Sequence, residues 1–228
     1  MSPESRALSV FWNHKRFWTL QIVGIAMWLA LAIAWFWLPD SRAWGVALSL
    51  LHGIVVIAGG LWLIGTALLF YRRAHGGEEA QLGALGRESL RRIPGLFVWS
   101  AALAGAVWVS LRPKAPGWIW MLPLILLLPL AGQVSAEGAR GFFRMPWRLR
   151  YFPLASVLIA AGACLPLKLI AWHPRPAGLT LQTVSLTARF ALAYLLAVSA
   201  WLALASLLGR LGQDRPPGAD RPLSAGRE

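Results

Sequence analysis

Charge is scarce in this chain. Of its 228 residues, 14% are Asp, Glu, Lys or Arg, against about 25% in an average soluble domain. Only 9 are acidic, and there is a single cysteine, Cys164. One cysteine excludes an intramolecular disulfide, and with it a small disulfide scaffold. The low charge comes with 57% hydrophobic residues, which excludes a disordered chain. The same balance argues against an ordinary soluble enzyme. It points to an integral membrane protein.

The few acids also speak by position. They are Glu4, Asp40, Glu78, Glu79, Glu88, Glu137, Asp214, Asp220 and Glu228. None lies in a long apolar run. Ion-coupled transporters and pumps commonly hold a carboxylate at mid-depth, so that class is disfavoured. With 4 scattered histidines and 1 cysteine, a metal site lacks ligands. Neither Gly-x-Ser-x-Gly nor His-Glu-x-x-His occurs, which removes two membrane-protease signatures. No cofactor and no catalytic constellation are expected.

What the chain has is long apolar runs. A helix needs about 20 apolar residues to cross the hydrocarbon core of roughly 30 Å. Six runs qualify, at about 18–38, 43–70, 94–111, 117–135, 152–172 and 186–209. The first exceeds the length of a cleavable leader's apolar region, about 7–15 residues, and is read as a retained helix. Pro39-Asp40-Ser41-Arg42 and the stretch Arg112 to Pro116 make tight connections. The second run is long enough that it must tilt or project into water. Pro123, Pro129, Pro153 and Pro166 are expected to kink spans four and five. The fold class is an all-α polytopic membrane bundle: six transmembrane helices plus a short amphipathic interfacial helix. Residues 1–17 form the N-terminal interfacial segment, 18–209 the transmembrane domain, and 210–228 a disordered tail.

The net charge is +13, which raises the question of nucleic acid. Nucleic-acid binding gathers its cations on one water-facing surface. Here they sit in short segments between apolar runs, so the partner is the bilayer with its anionic lipids. Sixteen of the 22 basic residues fall in the N-terminal segment, the 2–3 loop, the 4–5 loop and the tail; 6 fall on the other side. By the positive-inside rule both termini are cytoplasmic, as six spans require. Arg outnumbers Lys 19 to 3 in an Ala-, Leu-, Gly- and Pro-rich chain. That codon signature suggests a bacterial genome, hence a multi-pass protein of the inner membrane. Trp35, Trp37, Trp44, Trp108, Trp118, Trp120 and Trp172 would form an outer belt. Trp12, Trp18, Trp99 and Trp147 would mark the inner interface. Trp28, Trp62 and Trp201 fall mid-span.

Several segments carry candidate function. Residues 5–17 present Leu8, Phe11 and Trp12 on one helical face, with Asn13, Lys15 and Arg16 reaching headgroups. Leu82, Leu85, Leu90 and Ile93 approximate a helical stripe in the 2–3 loop. It reads either as a helix lying on the membrane or as a docking site for a partner such as a transporter ATPase. The 4–5 loop offers Arg140, Arg144, Trp147, Arg148 and Arg150 as contacts for anionic lipid. In span two, Ser49, His52, Gly53, Val56 and Gly60 share a face, and His52 is the one strongly polar side chain near mid-depth. Small residues on a stripe let helices approach, so His52 reads as a packed, bonded histidine or a proton or substrate group. Ser100, Ala101, Ala104 and Gly105 suggest a second seam on span three. Residues 177–187 read as a half-inserted segment or an outer interfacial turn.

Lys168, His173, Arg175 and Arg189 form a candidate outer anion site. Lys168-Leu-Ile-Ala-Trp-His-Pro-Arg175-Pro176 fits Lys-x6-Arg-Pro, which resembles the first signature of the type 2 phosphatidic acid phosphatases. That resemblance implies a six-span enzyme whose Lys and Arg bind phosphate and whose later histidines do the chemistry. The chain has no histidine after His173, so the two later motifs are missing and the resemblance is set aside. The layout as a whole is similar to the type 2 ABC permeases: six spans, cytoplasmic termini, an N-terminal interfacial helix and a coupling segment after span two. The leading reading is a non-catalytic accessory or scaffold subunit of a membrane complex, with other membrane subunits as partners. The alternative is the permease of an ATP-driven exporter; a lipid-headgroup enzyme ranks third.

Overall fold

The computed structural model describes residues 9–35, 37, 43–78, 81–110, 119, 123, 127, 130–132, 134–135, 152–172 and 178–211. All regular structure among them is helical. Five long helices account for nearly all of it: α1 (Lys15–Trp35), α2 (Ala43–Gly76), α3 (Leu82–Ser110), α4 (Phe152–Ala171) and α5 (Leu179–Leu211). Each is long and apolar enough to cross a membrane. The protein is a helical membrane bundle. The expected fourth span, 117–135, is described only at isolated positions; those at 123, 127, 130–132, 134 and 135 are helical.

Helix lengths separate crossing from projection. At 1.5 Å per residue, α1 and α4 are about 30 Å long and match the hydrocarbon core. By the same measure α2 and α5 run to roughly 50 Å and α3 to about 43 Å, so they must tilt or extend beyond it. The interfacial helix expected over 5–17 is described at 9–13 and gives way at His14 to α1.

Several boundaries differ from expectation. The last helix begins at Leu179 rather than 186, so residues 179–187 are helical and not a half-inserted segment or an interfacial turn. The stripe Leu82–Ile93 is not a separate surface helix: it is the first half of α3, continuous through Pro94. Leu85, Gly86 and Ser89 before the proline, and Gly95, Leu96 and Trp99 after it, are all buried. One buried face at helical spacing therefore spans the proline and holds the helix together. Pro153 does not kink α4. It is that helix's second residue, where the missing N–H would lack an intrahelical partner anyway. Pro166 does lie inside α4, which continues to Ala171.

The turn after α2 shows why the chain reverses there. Gly77 has φ of 74°, a left-handed conformation open to glycine. Its N–H donates to Ala74 O, and Glu78 N–H donates to Arg73 O. This pair of bonds is a Schellman cap.

α2 and α5 are the central helices. Half of each apolar window is buried, against 11% for α1 and 17% for α3 and α4. They cross at Gly209, where a Cβ would lie 2.7 Å from Arg72 N. Around that crossing, Leu68, Tyr71, Leu85, Leu96, Val134, Leu202 and Leu208 are buried together. Phe17 of α1 stacks on Phe70 of α2 with ring centroids 3.6 Å apart. The packed core thus sits at the end of the bundle where α1 begins and α5 ends. The opposite halves present large apolar side chains such as Leu51, Ile54, Trp108, Leu167 and Val184 at their surfaces. α4 packs along α5, and a Cβ on Gly162 would lie 2.9 Å from Ala200 Cβ.

Candidate functional site

The span-two stripe is assembled into one seam against α1. His52 Nε2 donates to Leu31 O at 2.8 Å. Trp35 Nε1 donates to Ser49 Oγ at 2.8 Å, and Trp28 Nε1 donates to Val56 O at 2.7 Å. Gly53 and Gly60 make room for these indoles: added Cβ atoms would lie 2.7 Å from the Trp35 ring and 3.1 Å from that of Trp28. Ser49, His52, Gly53 and Gly60 are therefore brought together, as parts of a helix–helix contact. What fills the seam is a pair of tryptophans. Trp35, expected at the outer interface, has its N–H satisfied by Ser49.

Next to this seam a cleft of about 350 Å³ opens between four helices. Ile25 and Trp28 of α1, Gly60 and Ile64 of α2, Ser100 of α3 and Trp201 of α5 line it. No described lining group is ionisable. The Ser100 hydroxyl donates to Phe97 O in its own helix. Such a slot accommodates an apolar chain or side chain and offers no acid, base or nucleophile. The sequence marked Trp28 and Trp201 as mid-span but gave no sign that they share a cavity.

The α2–α3 hairpin is stitched by polar groups. Trp62 Nε1 donates to Gly86 O at 3.0 Å, and Ser89 Oγ donates to Trp62 O at 2.9 Å. Gly65 leaves space for that hydroxyl. The expected docking stripe is divided by this packing. Leu85 is fully buried, Ile93 is half-buried against the core, and only Leu82 and Leu90 are exposed. A partner thus meets two of the four leucine and isoleucine side chains with ease. Near the turn, Glu88 takes a 2.6 Å ion pair from Arg73 and lies 3.9 Å from Arg92. His75 Nε2 reaches Ser206 O at 2.9 Å and ties α2 to α5. Neither contact was apparent from sequence. Arg73 and Glu88 flank a tight turn, which is a signal; His75 and Ser206 are 131 positions apart and share none.

The second seam, on span three, is not closed by the described residues. Ala101, Ala104 and Gly105 are exposed, and no described atom lies within 4 Å of a Cβ at Gly105. Trp99, expected at the membrane interface, is buried and donates to Leu127 O at 2.8 Å. Of the outer anion set, Lys168 is exposed near the end of α4. Arg189 is half-buried and its Nε donates to Ser185 O. His173 and Arg175 lie outside the described residues, as do Arg140, Arg144, Trp147, Arg148 and Arg150.

Among the described residues no three His, Cys, Asp or Glu side chains cluster as a metal ion requires. No protein-family model, no curated protein and no solved structure matches the chain.

Proposed function

We propose that this protein is a non-catalytic scaffold subunit of a membrane complex, in a bacterial inner membrane with both termini cytoplasmic. One observation carries the reading. Six polar side chains inside the described spans bond across to a neighbouring element: Trp28, Trp35, His52, Trp62, Ser89 and Trp99. A catalytic or ion-conducting site leaves polar groups aimed at its substrate; these six hold backbone carbonyls or a serine. The open small-residue face of α3, at Ala101, Ala104 and Gly105, is the kind of surface that receives another transmembrane helix.

A photo-reactive residue at Gly105, in chain purified in mild detergent, tests this. A stoichiometric adduct with a second integral membrane subunit is the expected result. A chain that stays a lone monomer under conditions preserving known membrane complexes overturns it.

The ATP-driven permease is the second reading, supported by the α2–α3 hairpin. These helices exceed the bilayer core and meet at the capped turn of Gly77, as a coupling segment would. A stoichiometric nucleotide-binding subunit, lost when exposed Leu82 and Leu90 are replaced by Ser, would favour the permease over the scaffold.

A further inference from the structure

Where α1 begins, a cavity of about 380 Å³ opens between the start of that helix, Phe70 of α2 and Leu82 of α3. Its polar lining is Asn13, Lys15, Arg16 and His14, whose Nδ1 is taken by Val10 O. Its apolar lining is Phe17 stacked on Phe70, with Leu20 and Leu82. Lys15 and Arg16 are both exposed and form no ion pair among the described residues. The two described carboxylates at this end of the bundle, Glu78 and Glu88, face Arg73 and Arg92 instead. The cavity therefore joins two cations, without a counter-ion among the described residues, to a hydrophobic wall.

Its depth matches that split. α1 is about as long as the hydrocarbon core is thick. Its first residue, Lys15, thus lies at headgroup level, and Leu20 lies roughly 7 Å deeper.

We propose that this cavity binds the headgroup of an anionic glycerophospholipid. Lys15 and Arg16 hold its phosphate, and Asn13 offers an amide to the polar head. The first part of an acyl chain lies along Leu20 and Leu82. The volume falls within the usual span of small-molecule sites, about 300–1,000 Å³. The apolar wall is what selects a lipid over a free anion, which would leave Leu20 and Leu82 unmatched. The site is built from described residues alone and rests only on the membrane reading, so it stands or falls independently of the scaffold role.

Native mass spectrometry of the full chain, titrated with phosphatidylglycerol or phosphatidylcholine, provides the test. Phosphatidylglycerol binds more tightly to the wild type. The double variant Lys15→Gln/Arg16→Gln loses that preference, with affinity falling by about fivefold per charge removed. Both side chains are exposed, so the variant keeps its fold, which an unchanged unfolding temperature confirms. Leu82→Trp fills the wall, retains both charges and also weakens binding. Arg87→Gln removes an exposed cation outside the cavity and leaves affinity within about twofold, below the effect of one contacting charge. Equal losses in Arg87→Gln and the double variant would reduce the effect to general surface charge and overturn the site. So would undiminished binding to the double variant or to Leu82→Trp, or displacement of the lipid by millimolar inorganic phosphate.

Discussion

Gly209 and Gly105 are the same residue type on two helices, with opposite requirements. At Gly209 the backbones of α5 and α2 are so close that a Cβ would come within 2.7 Å of Arg72 N and 2.9 Å of Tyr71 C. Those are backbone atoms and cannot rotate away. Gly209→Ala should therefore separate the central helices and lower stability by about 1–3 kcal/mol. At Gly105 a Cβ meets open space, and Ala is the better helix former by roughly 1 kcal/mol. Gly105→Ala should leave the unfolding temperature in detergent unchanged or raised, while Gly209→Ala lowers it. Sequence pointed the other way: Gly105 sits on a small-residue stripe read as a packing seam, whereas Gly209 lies in an Ala- and Leu-rich run where spacing marks no unique face. His52 was legible, being a lone polar side chain on a small-residue stripe. Its partner was not, since a backbone carbonyl leaves no mark in a sequence. His52→Ala removes the bond to Leu31 O and should cost about 1 kcal/mol in an equilibrium unfolding measurement. Full stability combined with altered function would make His52 a working group rather than a structural one.

At the scale of the element, α3 shows where sequence rules give way to packing. Span three was drawn from its apolar run as starting at 94, and a proline inside a helical pattern usually ends or kinks the helix at the preceding residue. Leu85, Ser89, Leu96 and Trp99 nonetheless lie on one buried face that passes Pro94. The bonds from Trp62 and Ser89 fasten the N-terminal half to α2, and that from Trp99 fastens the C-terminal half to Leu127. The helix is held on both sides of its weak point. Pro94 is itself exposed, so a smaller side chain there leaves no void. Pro94→Ala should restore the N–H that Leu90 O lacks and raise the unfolding temperature, by up to about 3 kcal/mol of stability. A fall in stability would mean that the packing depends on a bend at this residue. The α2 terminus carries a sequence signal that the apolar run, drawn only to 70, passed over: Gly76-Gly77 follows the basic pair Arg72-Arg73, the usual order at a helix C-terminus.

For the whole molecule, connectivity constrains topology more than any single span does. α1 and α2 form an antiparallel pair, with Phe17 against Phe70 at one end and Trp35 against Ser49 at the other. His75 and Gly209 bring the end of α5 to the same end as Phe17. α3 starts there, beside Arg73, and Ser110 lies at its far terminus. α4 runs antiparallel to α5 through the short connection 172–178, so Phe152 is again at the first end. Ser110 and Phe152 therefore lie at opposite ends of the bundle, and we propose that the apolar run 117–135 joins them as a sixth crossing. Leu127, Leu130, Ala131 and Val134 in that run already belong to or pack against the core. An even number of crossings puts both termini on one side, in agreement with the 16-to-6 division of basic residues. Cysteine accessibility can test this cleanly, because Cys164 is the only cysteine to remove. In a Cys164→Ala background, single cysteines at Gly77 and in the tail after residue 211 should be shielded in intact cells from a membrane-impermeant maleimide. Cysteines at Ser41 and Ala115 should be labelled. Labelling in the tail together with protection at Gly77 would mean an odd number of crossings and would remove both the six-span architecture and the charge-based orientation.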